Sequence, residues 1–288
     1  MIVRITAAFV GLLVLIPALM LGGLVAVHVV TLAAMAICLN EYARMAFPEH
    51  AGEAFAWLLG ITVLPYLAHS FIGPGPAVTV LALALITVST RVALRPGASL
   101  DAAFAKLGRY GFAAVWIGSL VFIPLLRQLD HGLTWIFMAL GLAWLSDTGG
   151  YFAGRFFGKT PLHPQLSPKK TVEGYVGGII GATSGTAFFA WVGLPTVQGA
   201  WWAGESMSVS MQALPTIGPL DVVAIGVGIG TLGVLGDLVE SLVKRATGVK
   251  DAGSIMPGHG GLLDRVDSLL FVVPALYGYA TLVEGLSA

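Results

Sequence analysis

Long apolar runs follow one another along this chain, and they limit its fold more than any other feature. Nine stretches, at about 4–22, 24–41, 55–72, 76–94, 111–127, 133–154, 174–194, 219–239 and 267–285, each approach the length needed to cross a bilayer as a helix, about 20 residues. Backbone N–H and C=O groups find no partners in hydrocarbon, so such runs are expected to be helices packed side by side. The expected fold is all-α: a polytopic integral membrane helix bundle of about nine transmembrane helices. Gly22-Gly23 is the only turn between the first two runs. Arg4 ahead of the first run has the look of a signal peptide, but no small-x-small site followed by a soluble stretch accompanies it, so a retained first span is expected.

Composition agrees with this reading. Only 10% of the 288 residues are charged, against roughly 25% in a soluble domain. The mean hydropathy of +0.88 excludes disorder, which needs low hydrophobicity and high net charge. Fifteen Lys+Arg balance fifteen Asp+Glu, so no nucleic-acid partner held by bulk charge is expected. Cys38 is the only cysteine, which removes internal disulfides and Cys-based zinc sites.

With nine spans the connecting segments fall into two alternating sets. One set carries fourteen of the fifteen lysines and arginines; the other carries only Arg127. By the positive-inside rule the N-terminus is expected in the cytoplasm and the C-terminus outside. No internal repeat or soluble domain interrupts the chain, so 1–288 reads as one membrane domain. Within it, 1–130 supplies scaffold and lipid-facing helices, and 131–288 the catalytic helices and cytoplasmic loops.

The few charges are unevenly placed: stretches 147–173 and 237–267 hold fifteen of the thirty. Cytoplasmic loops account for many of the cations, but not for the acids within the spans. Asp147 falls in the sixth span and Asp237 near the end of the eighth, where a carboxylate costs about 2.5–3.5 kcal/mol on insertion scales and ordinarily faces a cavity, a cation or a basic partner. By contrast, the first 100 residues offer no convincing acid in mid-span.

On the eighth helix Asp237, Glu240, Ser241 and Lys244 occupy i, i+3, i+4 and i+7, one face. Gly226, Gly230 and Gly233 extend that face deeper. Gly174, Gly178, Gly181 and Gly185 repeat the device on the seventh span, and Gly150, Gly154 and Gly158 on the sixth. Such stripes are packing surfaces that let helix backbones approach closely, here expected to bring Asp147 and Asp237 into one compartment.

Downstream of the eighth helix come Lys250-Asp251, then the 257–261 run with His259, Gly260 and Gly261, then Asp264, Arg265 and Asp267. The glycines permit a loop whose backbone N–H groups surround an anion. Carboxylates suited to Mg²⁺ beside cations suited to phosphate belong to phosphoryl or nucleotidyl transfer. A second cationic loop, from Ser167 through Lys169, Lys170 and Glu173 to Gly174, fits a triphosphate clamp.

Two motifs are decoys. Residues 154–160, from Gly154 through Gly158 and Lys159 to Thr160, imitate a P-loop, but only three residues separate the glycines where four are required. Gly228, Gly230 and Gly233 satisfy the dinucleotide fingerprint, yet they lie in an apolar helix with no preceding strand. Among the histidines only His259, inside the Gly-rich loop, is expected to be functional.

The run from Ser241, Lys244 and Arg245 through Lys250, Asp251 and Gly253 to His259, Gly260, Gly261, Asp264, Arg265 and Asp267 resembles the signature of phosphatidate cytidylyltransferases (CDP-diacylglycerol synthases). The segment 146–155 around Asp147 and the 167–174 loop are similar to that family as well, and together these pieces cover about a fifth of the chain. Met256, where Leu or Ile is expected, is a volume-conserving departure.

The resemblance implies conversion of CTP and phosphatidic acid to CDP-diacylglycerol and pyrophosphate, with Mg²⁺ required and a second cation left open. By the same resemblance Asp237 and Asp264 hold the metal, with Asp147 or Asp267 adding a ligand or an outer contact. Lys169, Lys170 and Arg265 are expected to neutralise the triphosphate. Lys244, Arg245 and Lys250 are assigned to the phosphatidate phosphate or the leaving pyrophosphate. Ser167, Ser241, Asp251, Gly260 and Gly261 complete the expected substrate contacts, and His259 joins the catalytic group. The expected place is the cell (inner) membrane, multi-pass, with the site facing the cytoplasm; a homodimer is compatible with all of this. The alternatives are a CTP-dependent polyprenol or lipid kinase and, in another class, an ion-coupled transporter, for which intramembrane acids are also diagnostic.

Overall fold

The computed structural model describes residues 2–94, 99–198, 208–212, 214, 217–255 and 260–287. Helix α1 (Ile2–Leu21) gives way at Gly22 to α2 (Gly23–Ala46), and Gly23 adopts φ +62°, a conformation that only glycine takes freely. Helices α3 (Ala51–Phe71) and α4 (Pro74–Ala93) form a hairpin, with Pro74 at the first helical position of α4. Ser99 caps α5 (Leu100–Trp116), its hydroxyl accepting from Ala102 N at 3.2 Å.

Helix α5 starts well before the expected 111 and does not run unbroken to 127. A 3₁₀ turn at Ile117–Val121 interrupts it, followed by the short α6 (Phe122–Arg127). Ser119 Oγ lies 2.6 Å from Trp116 O within the turn and 2.8 Å from Leu270 O, which ties the turn to the last helix.

The second half comprises α7 (Gly132–Phe157), α8 (Val172–Trp191), α9 (Pro219–Ala246), the four-residue α10 (Leu263–Val266) and α11 (Leu269–Ser287). Among the described residues two short antiparallel hairpins accompany the helices of the expected all-α bundle: β1 (Pro161–His163) with β2 (Ser167–Thr171), and β3 (Leu194–Gln198) with β4 (Ser208–Gln212). Both fall between apolar helices, where strand pairing satisfies backbone groups that a helix no longer does.

Among the described residues six stretches are long and apolar enough to cross a membrane: Gly23–Ala46, Pro48–Phe71, Pro74–Ala93, Leu100–Arg127, Pro219–Ala246 and Leu263–Glu284. Large apolar side chains such as Val25, Leu83, Phe104, Val115, Ile180 and Leu220 point outward, as lipid-facing residues do. The molecule is an integral membrane helix bundle.

Two apolar cores hold it together. One joins α2, α3 and the α5 region through Met35, Leu39, Leu58, Ile61 and Ile117, and Leu263 of α10 inserts into it. The other joins α7, α9 and α11 through Trp135, Met138, Leu142, Ile225, Val272 and Leu276. Glycines set the spacing in the α7–α8–α9 layer: a Cβ on Gly174 would lie 3.0 Å from Gly150 O, and one on Gly230 would lie 2.8 Å from Ile179 Cα. The expected stripes therefore pack helix against helix. The dinucleotide-like glycines lie inside α9, as a packing role requires.

Candidate active site

Helix α9 extends to Ala246, beyond the expected 239, so Lys244 and Arg245 are helical. Its polar face lies against the junction of α10 and α11. Gly236 makes that approach possible, since a Cβ there would stand 2.6 Å from Asp267 O and 3.0 Å from Ser268 Cα. The contact gathers three carboxylates: oxygens of Asp237, Glu240 and Asp267 lie within 4.8 Å of one another. Glu240 is 1% exposed and Asp267 9%, while Asp237 is half-buried.

The lone pairs of this cluster are only partly used. Asp267 Oδ1 accepts from Ser268 N at 2.7 Å. Glu240 Oε2 meets Lys244 Nζ at 2.5 Å, but Glu240 Oε1 is buried without a hydrogen-bond partner. A buried carboxylate oxygen without a donor is costly. Hard oxygen donors converging from three acids fit a divalent cation such as Mg²⁺. Asp147, exposed on α7, is within electrostatic reach of Asp237, Lys170 and Arg265.

Asp264 is differently engaged. Its Oδ1 accepts from Lys244 Nζ at 2.7 Å, and its Oδ2 from Ala252 N at 2.9 Å and Gly261 N at 2.8 Å. Gly260, at φ +81°, lets the chain turn around this carboxylate. Asp264 thus ties the loop after α9 to Lys244 and to Glu240, both through Lys244 and by a direct contact between the two carboxyl groups. Of the expected metal set, Asp237 and Asp267 share a cluster with Glu240, Asp147 stands beside it, and Asp264 touches Glu240 while organising the loop.

The cations lie around this centre. Lys170, on β2, forms an ion pair with Asp237. Lys169, Arg245, Lys250 and Arg265 are exposed, Ser167 opens β2, and Ser241 is buried on α9. Asp251 is exposed, and a Cβ on Gly260 would lie 3.7 Å from its own Cβ. His259, with 256–258, lies outside the described residues.

Two structural ties complete the site. Thr171 Oγ1 caps α8 by accepting from Gly174 N at 3.1 Å. Glu173 accepts from Lys159 N (3.1 Å), Thr160 N (3.2 Å) and Thr160 Oγ1 (3.0 Å). Backbone N–H groups, its own first and then those of Lys159 and Thr160, hold its carboxyl down at about 2. The P-loop imitation thus binds a neighbouring carboxylate.

A further tie was not expected from the sequence. Glu41, 5% exposed near the end of α2, accepts from Leu262 N at 3.0 Å and Leu263 N at 2.8 Å. Its only sequence signal is a carboxylate closing an apolar run, and its partners lie more than 200 residues away. Glu240 was legible only as a member of the α9 face.

Comparison with known proteins gives this geometry a family. Residues 2–283 match the Cytidylyltransferase family. A phosphatidate cytidylyltransferase of Staphylococcus saprophyticus is 36% identical over 278 residues, covering 95% of this chain and 96% of the relative. The phosphatidate cytidylyltransferase of Staphylococcus aureus (strain COL) is 34% identical over 278 residues, with the same two coverages. That of Bacillus subtilis is 42% identical over 177 residues, covering 60% of this chain and 58% of the relative. With a match that runs through every helix of the bundle, this chain belongs to the cytidylyltransferase family.

Proposed function

We propose that this chain is a phosphatidate cytidylyltransferase: it transfers the cytidylyl group of CTP to phosphatidic acid, giving CDP-diacylglycerol and pyrophosphate for phospholipid synthesis. The single observation that carries the site assignment is the carboxylate cluster of Asp237, Glu240 and Asp267 with Lys170 paired to it. Asp237 lies nine residues from the end of α9, about 14 Å along the helix axis at 1.5 Å per residue. The cluster is recessed in the bundle, where a lipid phosphate and a nucleotide meet without either leaving its own phase.

Asp237, Glu240 and Asp267 would hold Mg²⁺, with Asp147 beside them; a second cation has the same acids available. The ion supplies charge stabilisation at the phosphates. Lys170, with Lys169 and Arg265 near it, neutralises the triphosphate. Lys244, held by Glu240 and Asp264, sits with Arg245 and Lys250 on the side that receives the lipid phosphate or pyrophosphate. Ser167, Ser241, Asp251, Gly260 and Gly261 line the approach, and His259 belongs to the same loop. A phosphatidate oxygen bonds to the α-phosphorus, the bond from that phosphorus to the β-bridging oxygen breaks, and pyrophosphate departs with the electron pair. The attacking phosphate is ionised at pH 7, so no general base is needed. The protein contributes alignment and charge neutralisation.

The nine-span reading adds α1, α7 and α8 to the six apolar stretches. It places the N-terminus and the site on the cytoplasmic side of the cell membrane and the C-terminus outside, with the lysine and arginine distribution as its support. The test is purified protein with phosphatidic acid and CTP labelled at the α-phosphorus. Label entering lipid with one pyrophosphate released per transfer is expected. Label entering lipid only from the γ-position makes the chain a kinase, and no label in lipid from either position overturns the proposal.

A further inference from the structure

Glu41 belongs to none of the groups assigned above, yet it is among the most completely buried carboxylates of the molecule, 5% exposed. Both its oxygens are committed to one loop: Oε1 accepts from Leu262 N and Oε2 from Leu263 N. Two glycines are pressed against it. A Cβ on Gly253 would stand 2.6 Å from Glu41 Oε1, and one on Gly261 2.6 Å from Oε2. The carboxylate thus occupies a socket made by both ends of the loop, while α10, just beyond, carries Asp264 and leads to Asp267.

We propose that Glu41 is a positioning residue for the metal cluster: it fixes the α10 backbone so that Asp267 meets Asp237 and Glu240 on α9. The inference rests on the metal assignment under the proposed function. The chain of contacts is short. Glu41 fixes the amides of Leu262 and Leu263, Asp264 fixes those of Ala252 and Gly261 and also holds Lys244, and Lys244 holds Glu240. Apolar packing of Leu263 keeps α10 near α2, but it does not fix the rotation of α10 about its axis. Two charge-assisted hydrogen bonds on successive amides do fix it.

The test measures metal binding directly and by activity. In Glu41→Gln the amide NH₂ faces a backbone N–H, so at most one of the two bonds survives. Mn²⁺ binding to the purified protein, followed by electron paramagnetic resonance, should weaken about ten- to a hundredfold, as when an outer partner of a metal site is removed. The Mg²⁺ concentration for half-maximal transfer should rise in parallel, with the KM for CTP at saturating Mg²⁺ unchanged. Hydrogen exchange should quicken at Leu262 and Leu263 and stay slow in the middle of α9. If Glu41→Gln does not fold, Gly253→Ala displaces the same carboxylate and should give the same metal phenotype in milder form. Unchanged Mn²⁺ binding in a folded variant overturns the proposal, and so does exchange that quickens uniformly across the bundle. Wild-type protein that transfers label but binds no Mn²⁺ refutes the metal assignment itself, a result distinct from failure of the Glu41 role.

Discussion

The two sides of the candidate site are built differently. On the α9–α10 side, Asp264, Lys244, Glu240 and Glu41 are buried or nearly so, and Asp264 and Glu41 are each held by backbone amides. On the other side, the β1–β2 hairpin carries exposed Lys169 and half-buried Lys170, joined to the acids through the Lys170–Asp237 pair. Its base is latched by Glu173. The acidic side is preformed before any ligand arrives. The cationic side has to exchange the Asp237 carboxylate at Lys170 for a phosphate.

The contrast is broken most severely at Asp237, which faces both sides. Asp237→Asn should lower transfer of label into lipid by roughly 10³-fold, reflecting several kcal/mol of lost charge stabilisation, with little change in melting temperature. Asp264→Asn should act on the preformed side as a stability change. It weakens a buried pair with Lys244 whose rupture costs about 3–5 kcal/mol, so a clear fall in melting temperature should accompany the loss of rate. If the two variants melt alike, the division of labour between these acids is wrong.

Substitutions on the hairpin sharpen the comparison. Lys170→Ala should raise the KM for CTP about tenfold, the value of one hydrogen bond to a charged group, and leave the melting temperature unchanged. A melting temperature that falls as far as in Asp264→Asn would make the hairpin as structural as the loop. The smallest effect concerns the latch. Because Glu173 is held down at about 2 from an ordinary 4.5, its stabilisation is complete above pH 4.5 and is lost as pH falls toward 2. Hydrogen exchange at Lys159 and Thr160, corrected for the intrinsic pH dependence, should therefore show less protection across that window and no change above it. Glu173→Gln should remove the pH dependence.

The sequence made one kind of information legible and hid another. The α9 face, the helical packing of the glycine stripes and the false P-loop all follow from spacing within one segment, where 3.6-residue periodicity and sterics decide the outcome. Glu240 was visible only as a member of the α9 face, because its burial depends on Gly236 admitting the α10–α11 junction. Glu41 gave no signal beyond its position, since its partners are backbone amides of a segment distant in sequence. The tie between the 3₁₀ turn and the last helix was hidden for the same reason: Ser119 bonds to Leu270 O, and no local rule anticipates that. The hairpins escaped because short strands between apolar helices leave little periodicity to read.

The proposal that Glu240 completes the metal cluster with Asp237 and Asp267 is tested most directly by one titration. Transfer of α-labelled CTP into lipid is followed against Mg²⁺ concentration for wild type, Glu240→Gln and Asp264→Asn. The structure predicts that half-saturation rises most, at least about tenfold, in Glu240→Gln, and by a smaller factor in Asp264→Asn, which reaches the cluster through Lys244 and Glu240. A shift in Asp264→Asn with none in Glu240→Gln would contradict the account.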